Sequence, residues 1–207
     1  GLLALTLLST PLYASAQAVQ ATLTVSPTTV ELGQSIQVTY NVLTSSFRSS
    51  DSIAMFRTDT NQLVASERVG TLKSGTKTFS IKKPGSYYFQ YKASLSGNPV
   101  FATSGTVTVT IPDASKYTLT PSKTTLSMGE TLQVTYAGPT HAHQSGDDIV
   151  IVNATSGKYV STQSLGISPT GVKSFVLDTP GSYLAQYKLS LVGAPVVKTA
   201  GPVTVLP

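Results

Sequence analysis

One nine-residue phrase occurs twice in the chain, as PGSYYFQYK at residues 84–92 and as PGSYLAQYK at residues 180–188. The rest of the second half follows the first at the same spacing of 96 residues without any insertion. Residues 37–40 and 133–136 both spell QVTY, for example. A repeat of this length is a duplicated domain rather than a short solenoid unit. The chain is therefore expected to contain two copies of one fold.

Within each copy, apolar and polar residues alternate, as in SIQVTY at residues 35–40 and YYFQY at residues 87–91. This period of two is typical of a β-strand that buries one face. Turn signals such as Ser74-Gly75 and Pro84-Gly85 separate the alternating segments. About seven such strands per copy predict an all-β fold of two tandem immunoglobulin-like β-sandwich domains, with a barrel or a jelly roll as the alternatives.

The first residues, GLLALTLLSTPLYASAQA, combine an apolar run with small residues near a cleavage point. This pattern predicts part of a secretory signal peptide, cleaved after Ala16 or Ala18. A membrane anchor is the alternative, but the apolar run is too short to span a bilayer. The predicted organisation comprises a partial signal peptide at 1–18, a first sandwich at 19–112, a linker at 113–116 and a second sandwich at 117–207.

The composition excludes several classes of function. The chain has no cysteine, so disulfides, thiol catalysis and thiolate metal sites are all excluded. Its net charge of +5 comes from scattered lysines and arginines. A nucleic-acid reader would cluster such charges, so no nucleic-acid partner is expected. A weak attraction to anionic polysaccharide or membrane surfaces is compatible with this charge.

Architecture explains the turn and the tyrosines of the repeated phrase, but it does not explain its outward-facing polar residues. A Pro-Gly turn before Ser-Tyr fits the tyrosine corner of immunoglobulin-like sandwiches, with Tyr87 and Tyr183 as the corner residues. Two outward-facing residues of the same strand return unchanged in the second copy, which gives Gln90, Lys92, Gln186 and Lys188. We interpret these four either as an ordinary solvated ladder or as ligand-binding residues.

The order of motifs in each copy resembles known immunoglobulin-like domains. A Leu-Thr start, an Asp-x-Ile segment, the PGSY turn and a closing VTV are similar to domains related to the SKICH domain and to those preceding some secreted metallophosphatases. The segments Asp51-Ser52-Ile53-Ala54 and Asp147-Asp148-Ile149-Val150 lack the tryptophan and glycine of that family's Asp-Trp-Ile-Gly segment. Secreted fungal cell-wall proteins contain a similar sandwich. The resemblance implies an accessory module that binds or spaces rather than catalyses.

Few residues are candidates for chemistry. His141 and His143 lie beside Asp147, and a histidine pair with a carboxylate can hold zinc or copper. The first copy has Ser45 and Phe47 at those positions, so a solvated loop is the simpler expectation. The recurring Asp51 and Asp147 could cap a turn before a strand or contribute to a ligand site, such as a calcium site. Asn153-Ala154-Thr155 is a glycosylation acceptor motif.

Nothing in the sequence pairs two carboxylates or a serine with a histidine as hydrolysis would require. We therefore predict a secreted, non-enzymatic binding, adhesion or cell-wall-associated protein that needs no cofactor. Its partner would be an extracellular protein or polysaccharide. Recognition would use a sheet face or the loops 43–52 and 139–148, which differ most between the copies. The alternative is the accessory region of a larger secreted hydrolase.

Overall fold

The computed structural model describes residues 18–207 and contains seventeen β-strands and one short 3-10 helix. All of the predicted signal peptide except Ala18 lies outside the described residues. The strands of the first half are β1 (Ala21–Ser26), β2 (Thr29–Glu31), β3 (Ser35–Val42), β4 (Ser52–Arg57), β5 (Leu63–Arg68), β6 (Ser74–Ser80), β7 (Gly85–Lys92), β8 (Val100–Thr103) and β9 (Val107–Thr110).

A 3-10 turn at Ala114–Lys116 connects the halves. Within residues 18–207, no helix is long and apolar enough to cross a membrane. The strands of the second half are β10 (Thr118–Pro121), β11 (Thr125–Ser127), β12 (Thr131–Ala137), β13 (Asp148–Asn153), β14 (Tyr159–Ser164), β15 (Thr170–Val176), β16 (Gly181–Lys188) and β17 (Val196–Leu206).

Each half folds into two sheets. In the first half, β1, β3 and β6 form the smaller sheet, and the larger one has the order β2-β9-β7-β4-β5, with β8 also paired to β7. The second half repeats this arrangement as β10-β12-β15 and β11-β17-β16-β13-β14. The chain is thus all-β, with two immunoglobulin-like sandwiches in tandem, which confirms the predicted fold class. We call the two halves the first and the second domain.

The strand registers of the two domains also match at the spacing of 96 residues. Ser52 of β4 pairs with Lys92 of β7, and Asp148 of β13 pairs with Lys188 of β16. Even the irregularity in the pairing of β4 with β5 recurs at the same place between β13 and β14. A slip of one residue would turn every side chain to the opposite face. The duplicated residues therefore occupy the same faces in both domains.

The core lies between the two sheets of each domain and contains the residues that alternate inward. Tyr87, Phe89 and Tyr91 are buried, as the period of two predicts. The tyrosine corner is confirmed, because the Tyr87 hydroxyl donates a hydrogen bond to the Lys83 carbonyl at 2.7 Å. The Tyr183 hydroxyl donates to the Thr179 carbonyl at 2.8 Å. The Pro-Gly phrase therefore serves the architecture of the strand entry.

The end of the first domain contacts a loop of the second, residues 139–144. The Glu31 carboxylate accepts a hydrogen bond from the His141 ring at 3.0 Å and forms an ion pair with Lys116. These contacts lower the pKa of Glu31, chiefly through Lys116. Ala142 is buried within the hydrophobic cluster of the first domain. The expectation of a solvated loop at His141 and His143 is therefore wrong, because this loop packs between the domains.

Gly33 lies directly against the backbone of this loop. The His141 carbonyl oxygen lies where a Cβ atom on Gly33 would be, so no other residue fits without displacing the loop. The duplicated Gly129 has the same φ of +81°, yet no neighbouring domain lies against it. Both glycines thus adopt a positive φ that favours glycine, but only Gly33 contacts the other domain.

Alanine at these two positions separates the contact from the turn. Both Gly33→Ala and Gly129→Ala place a side chain at positive φ, at a cost of about 1–2 kcal/mol each. Only Gly33→Ala is expected to push the second domain away. The measurements are small-angle scattering at low protein concentration and hydrogen exchange of residues 139–144. Equal scattering curves and equal exchange for the two variants would contradict the described interface.

Candidate functional site

A fully buried aspartate lies at the same point of each domain. Asp51 and Asp147 are both 0% exposed. The Asp51 carboxylate accepts hydrogen bonds from the backbone amides of Arg48, at 3.1 Å, and Ser94, at 2.7 Å. The amide of Arg48 belongs to the turn before β4, which confirms the predicted cap. The amide of Ser94 belongs to the loop after β7, so this carboxylate ties together two loops that are distant in sequence.

Asp147 makes the same two bonds, to the amides of Gln144 at 3.1 Å and Ser190 at 2.8 Å. Burial raises the pKa of the Asp147 carboxyl, and these amides and His143 oppose that rise. A buried carboxylate is stable only when hydrogen bonds replace the water that it loses. The two loops therefore have to stay where their amides can reach it.

The third partner of the aspartate differs between the domains. In the first domain, the Tyr91 hydroxyl donates to Asp51 at 2.9 Å. In the second, His143 Nδ1 lies 3.3 Å from Asp147, and the equivalent hydroxyl of Tyr187 has no hydrogen-bond partner. Burial is the main cause that raises the pKa of both tyrosines. His143 thus occupies the side of the carboxylate that the tyrosine holds in the first domain.

Beside each aspartate, the outer face of the larger sheet carries a concavity. The first concavity has a volume of about 190 Å³ and is lined by Ser50, Ser52, Lys92, Ala93, Ser94 and Asn98. The second has a volume of about 610 Å³, and its lining includes the equivalents of all six, namely Gly146, Asp148, Lys188, Leu189, Ser190 and Ala194. One surface feature has therefore formed at the same place in both copies.

The lysine that lines each concavity lies against an aromatic ring. The Lys92 nitrogen lies 5.3 Å from the centre of the Phe56 ring, which stacks on Tyr88. The Lys188 nitrogen lies 4.6 Å from the centre of the Tyr159 ring and contacts its hydroxyl. Such a contact orients a cation without neutralising its charge. The ammonium groups are therefore held in place and stay available to an anion.

The linings differ in polarity. In the first concavity, serine hydroxyls and the Asn98 amide surround Lys92, and Ser52 is its cross-strand partner. In the second, Asp148 is the cross-strand partner of Lys188, and the apolar Leu191 and Val192 enlarge one wall. Neither lysine is in an ion pair within residues 18–207.

The structure brings together only some of the predicted binding residues. Lys92 and Lys188 line the concavities, whereas Gln90 and Gln186 lie farther along the same outer face, opposite Ala54 and Val150. Asp51 and Asp147 stand behind the loops with no exposed surface, so they position the site and do not reach a ligand themselves. For the lysines and glutamines, ligand binding stays a prediction.

The remaining candidates lie elsewhere. His141 and His143 have different partners, the Glu31 carboxylate and the Gly166 carbonyl. Residues 18–207 contain no group of three metal-ligating side chains that could hold an ion, so metal binding by this pair has no third ligand. Asn153 ends β13, and its side-chain oxygen accepts hydrogen bonds from Thr155 and Ser156. Its glycosylation stays a prediction.

Sequence reasoning missed most of the lining. Ser94 had a usable signal, because it recurs as Ser190 just after the repeated phrase. Asn98 and Tyr159 had none, since the other copy has Ala194 and Leu63 at those positions. Their proximity to the lysines depends on strand pairing and loop closure.

Matched tyrosine variants test the arrangement around the two aspartates. Tyr91→Phe removes a hydrogen bond to a buried carboxylate, and we expect the free energy of unfolding to fall by about 1.5–3 kcal/mol. Tyr187→Phe removes a hydroxyl that has no partner, and we expect a change within about 0.5 kcal/mol, or a gain. Urea denaturation measures both. Equal losses in the two variants would show that Tyr187 does bind Asp147.

Comparisons with known proteins assign the chain to no family. No protein-family model matches it, and no curated protein matches it. Solved structures that resemble it include the human OSCAR ligand-binding domain (11% identity, TM-score 0.36, 89% of this chain and 97% of that one). The Escherichia coli adhesin FdeC has 14% identity and a TM-score of 0.39 over 92% of this chain and 65% of that one.

The bacterial integrin-binding protein invasin has 12% identity and a TM-score of 0.45 over 87% of this chain and 38% of that one. These likenesses are remote, and no property of the three proteins is assigned to this chain. The resemblance to domains related to the SKICH domain and to metallophosphatase-associated domains gains no support from them.

Proposed function

We propose that the protein is a secreted, non-enzymatic binding module of the adhesion or cell-wall-associated type, and that each domain holds an acidic polysaccharide segment in its concavity. The observation that carries this proposal is the recurrence of one concavity, with all six lining positions equivalent, in both domains. Loops usually diverge after duplication. A shape that survives in both copies, with its lysine, favours a role beyond folding.

The chemistry of the linings favours an anionic ligand rich in hydroxyl groups. Lys92 and Lys188 each supply three N–H donors. Serine hydroxyls and the Asn98 amide can donate and accept beside Lys92, whereas the Asp148 carboxylate beside Lys188 can accept from sugar hydroxyls. A carboxylate or sulfate bound by an ammonium forms a charge-assisted hydrogen bond, which is stronger than a neutral one. The net charge of +5 adds a weak long-range attraction to such polymers.

Two sites on one chain suit a polymer with repeating groups. When one concavity is occupied, the other meets the same polymer at a raised local concentration. Weak binding at each concavity is then sufficient to retain the polymer. Two sites would strengthen polymer binding equally in a stand-alone protein and in the accessory region of a larger hydrolase. The apolar run and small-residue pattern near Ala16 support secretion within this proposal.

Lysine variants test the proposal directly. We expect the unaltered protein to bind polygalacturonate or heparin more tightly than neutral dextran in affinity electrophoresis and calorimetry. Lys92→Gln with Lys188→Gln removes both ammonium groups and should weaken this binding about tenfold or more. The remaining affinity should depend less on salt.

The duplication offers a control with the same change in charge. Lys77 and Lys173 are also equivalent residues, but they lie on β6 and β15 of the other sheet. Lys77→Gln with Lys173→Gln should therefore leave binding within about twofold of the unaltered protein. Equal losses in the two double variants would mean that net charge alone attracts the polymer. Failure of the unaltered protein to bind either acidic polymer would remove the proposal.

A further inference from the structure

The contact between the domains uses two surfaces, and the duplication has left one unused copy of each. We call residues 139–144 the contact loop and the group Glu31, Leu32, Gly33 and Lys82 the receiving face. The contact loop of the second domain rests on the receiving face of the first. Gln144 also donates to the Lys82 carbonyl, at 3.5 Å. The first domain has its own contact loop at 43–48, and the second has its own receiving face.

That second receiving face consists of Ser127, Met128, Gly129 and Asp178. Met128 is 54% exposed, whereas the equivalent Leu32 is 1% exposed and belongs to the same buried cluster as Ala142. Gly129 keeps the backbone conformation that accepts a carbonyl in the first domain, and the only atom near the position of its missing Cβ is the Asp178 Oδ1, at 3.9 Å. The face therefore has the apolar residue and the glycine that a contact loop needs.

The unused contact loop is likewise open. Leu43 is 56% exposed, and Arg48 is exposed without an acidic partner among residues 18–207. Lys73 donates to the Thr44 carbonyl, so a second cation lies on the same loop. The free contact loop is thus basic.

Charges on the two unused surfaces are complementary. Arg48 is the equivalent of Gln144, and Asp178 is the equivalent of Lys82. If the contact between domains were repeated between two chains, Arg48 of one chain would lie beside Asp178 of the next. Within one chain, Gln144 meets only the backbone of Lys82. A repeated contact would therefore replace the internal pair of Glu31 with His141, whose equivalents are Ser127 and Ser45, by an ion pair of Arg48 with Asp178.

We propose that the unused receiving face binds the free contact loop of a second copy of this chain, so that chains associate head to tail. The interface is heterologous: the two surfaces differ, and each chain keeps one free after pairing. Association between chains is expected to be weaker than the internal contact. Only in the internal contact does a four-residue linker tether the two surfaces, which raises the concentration of each surface near the other. This proposal does not depend on the polysaccharide ligand.

Sedimentation equilibrium of the purified protein from about 1 µM to about 1 mM tests this proposal. We expect the average mass to rise with concentration past that of a dimer, because a heterologous contact leaves both ends open. High salt should reduce the association. A mass that stays at one chain throughout would overturn the proposal. So would a plateau at the dimer, which indicates a two-fold interface.

Charge reversal supplies the specific test. Arg48→Glu alone places two acids together at the contact, and Asp178→Arg alone places two bases together. Each is expected to lower the association constant at least tenfold. An equimolar mixture of the two variants should associate again, because the acid introduced in one variant then meets the base introduced in the other. Both residues are exposed, so circular dichroism should show unchanged folding.

Lys77→Glu, on the smaller sheet, is the matched control and should leave association unaltered. If the single reversals associate like the unaltered protein, or if the mixture does not recover, Arg48 and Asp178 do not face each other and the proposal is wrong.

Discussion

The buried carboxylate of Asp51, and its twin Asp147, holds the two loops that form each candidate site. An unpaired buried charge would be costly, so the amides that satisfy it are fixed in place. One of these amides lies just before β4 and the other just after β7. The carboxylate thereby joins the ends of two neighbouring strands. The concavity beside Lys92 is the outer surface of that junction.

Because both domains retain the buried aspartate, the two concavities have the same location although their lining residues differ. Strand register is identical in the two domains, so equivalent side chains point the same way. The lining is free to change around a fixed frame, as Ser52 and Asp148 show. The neighbours of the buried aspartate also differ, because His143 lies beside Asp147 where the Tyr91 hydroxyl lies beside Asp51. Duplication has thus separated the parts that hold the site from the parts that would select a ligand.

Much of the fold was predictable from the sequence, because period-two alternation and the Pro-Gly turns are local signals. The cap function of Asp51 was predictable for the same reason, since aspartate bonds to amides close in sequence. Its second bond, to Ser94, crosses 43 residues and leaves no local trace. The contact of His141 with Glu31 crosses 110 residues. The only hint of it was that the histidines occur in one copy, and that difference alone does not identify a partner.

A duplicated domain that docks end to end differs physically from a pair joined by a free linker. The internal contact uses one contact loop and one receiving face, so residues 18–207 leave one of each uncovered. Repeat proteins normally end such a series with polar capping surfaces, which prevent further association. Here the receiving face of the second domain has an exposed methionine where that of the first has a buried leucine. It also retains Gly129, whose positive φ is unfavourable for any residue with a side chain. The uncovered receiving face of the second domain therefore resembles an interface more than a cap.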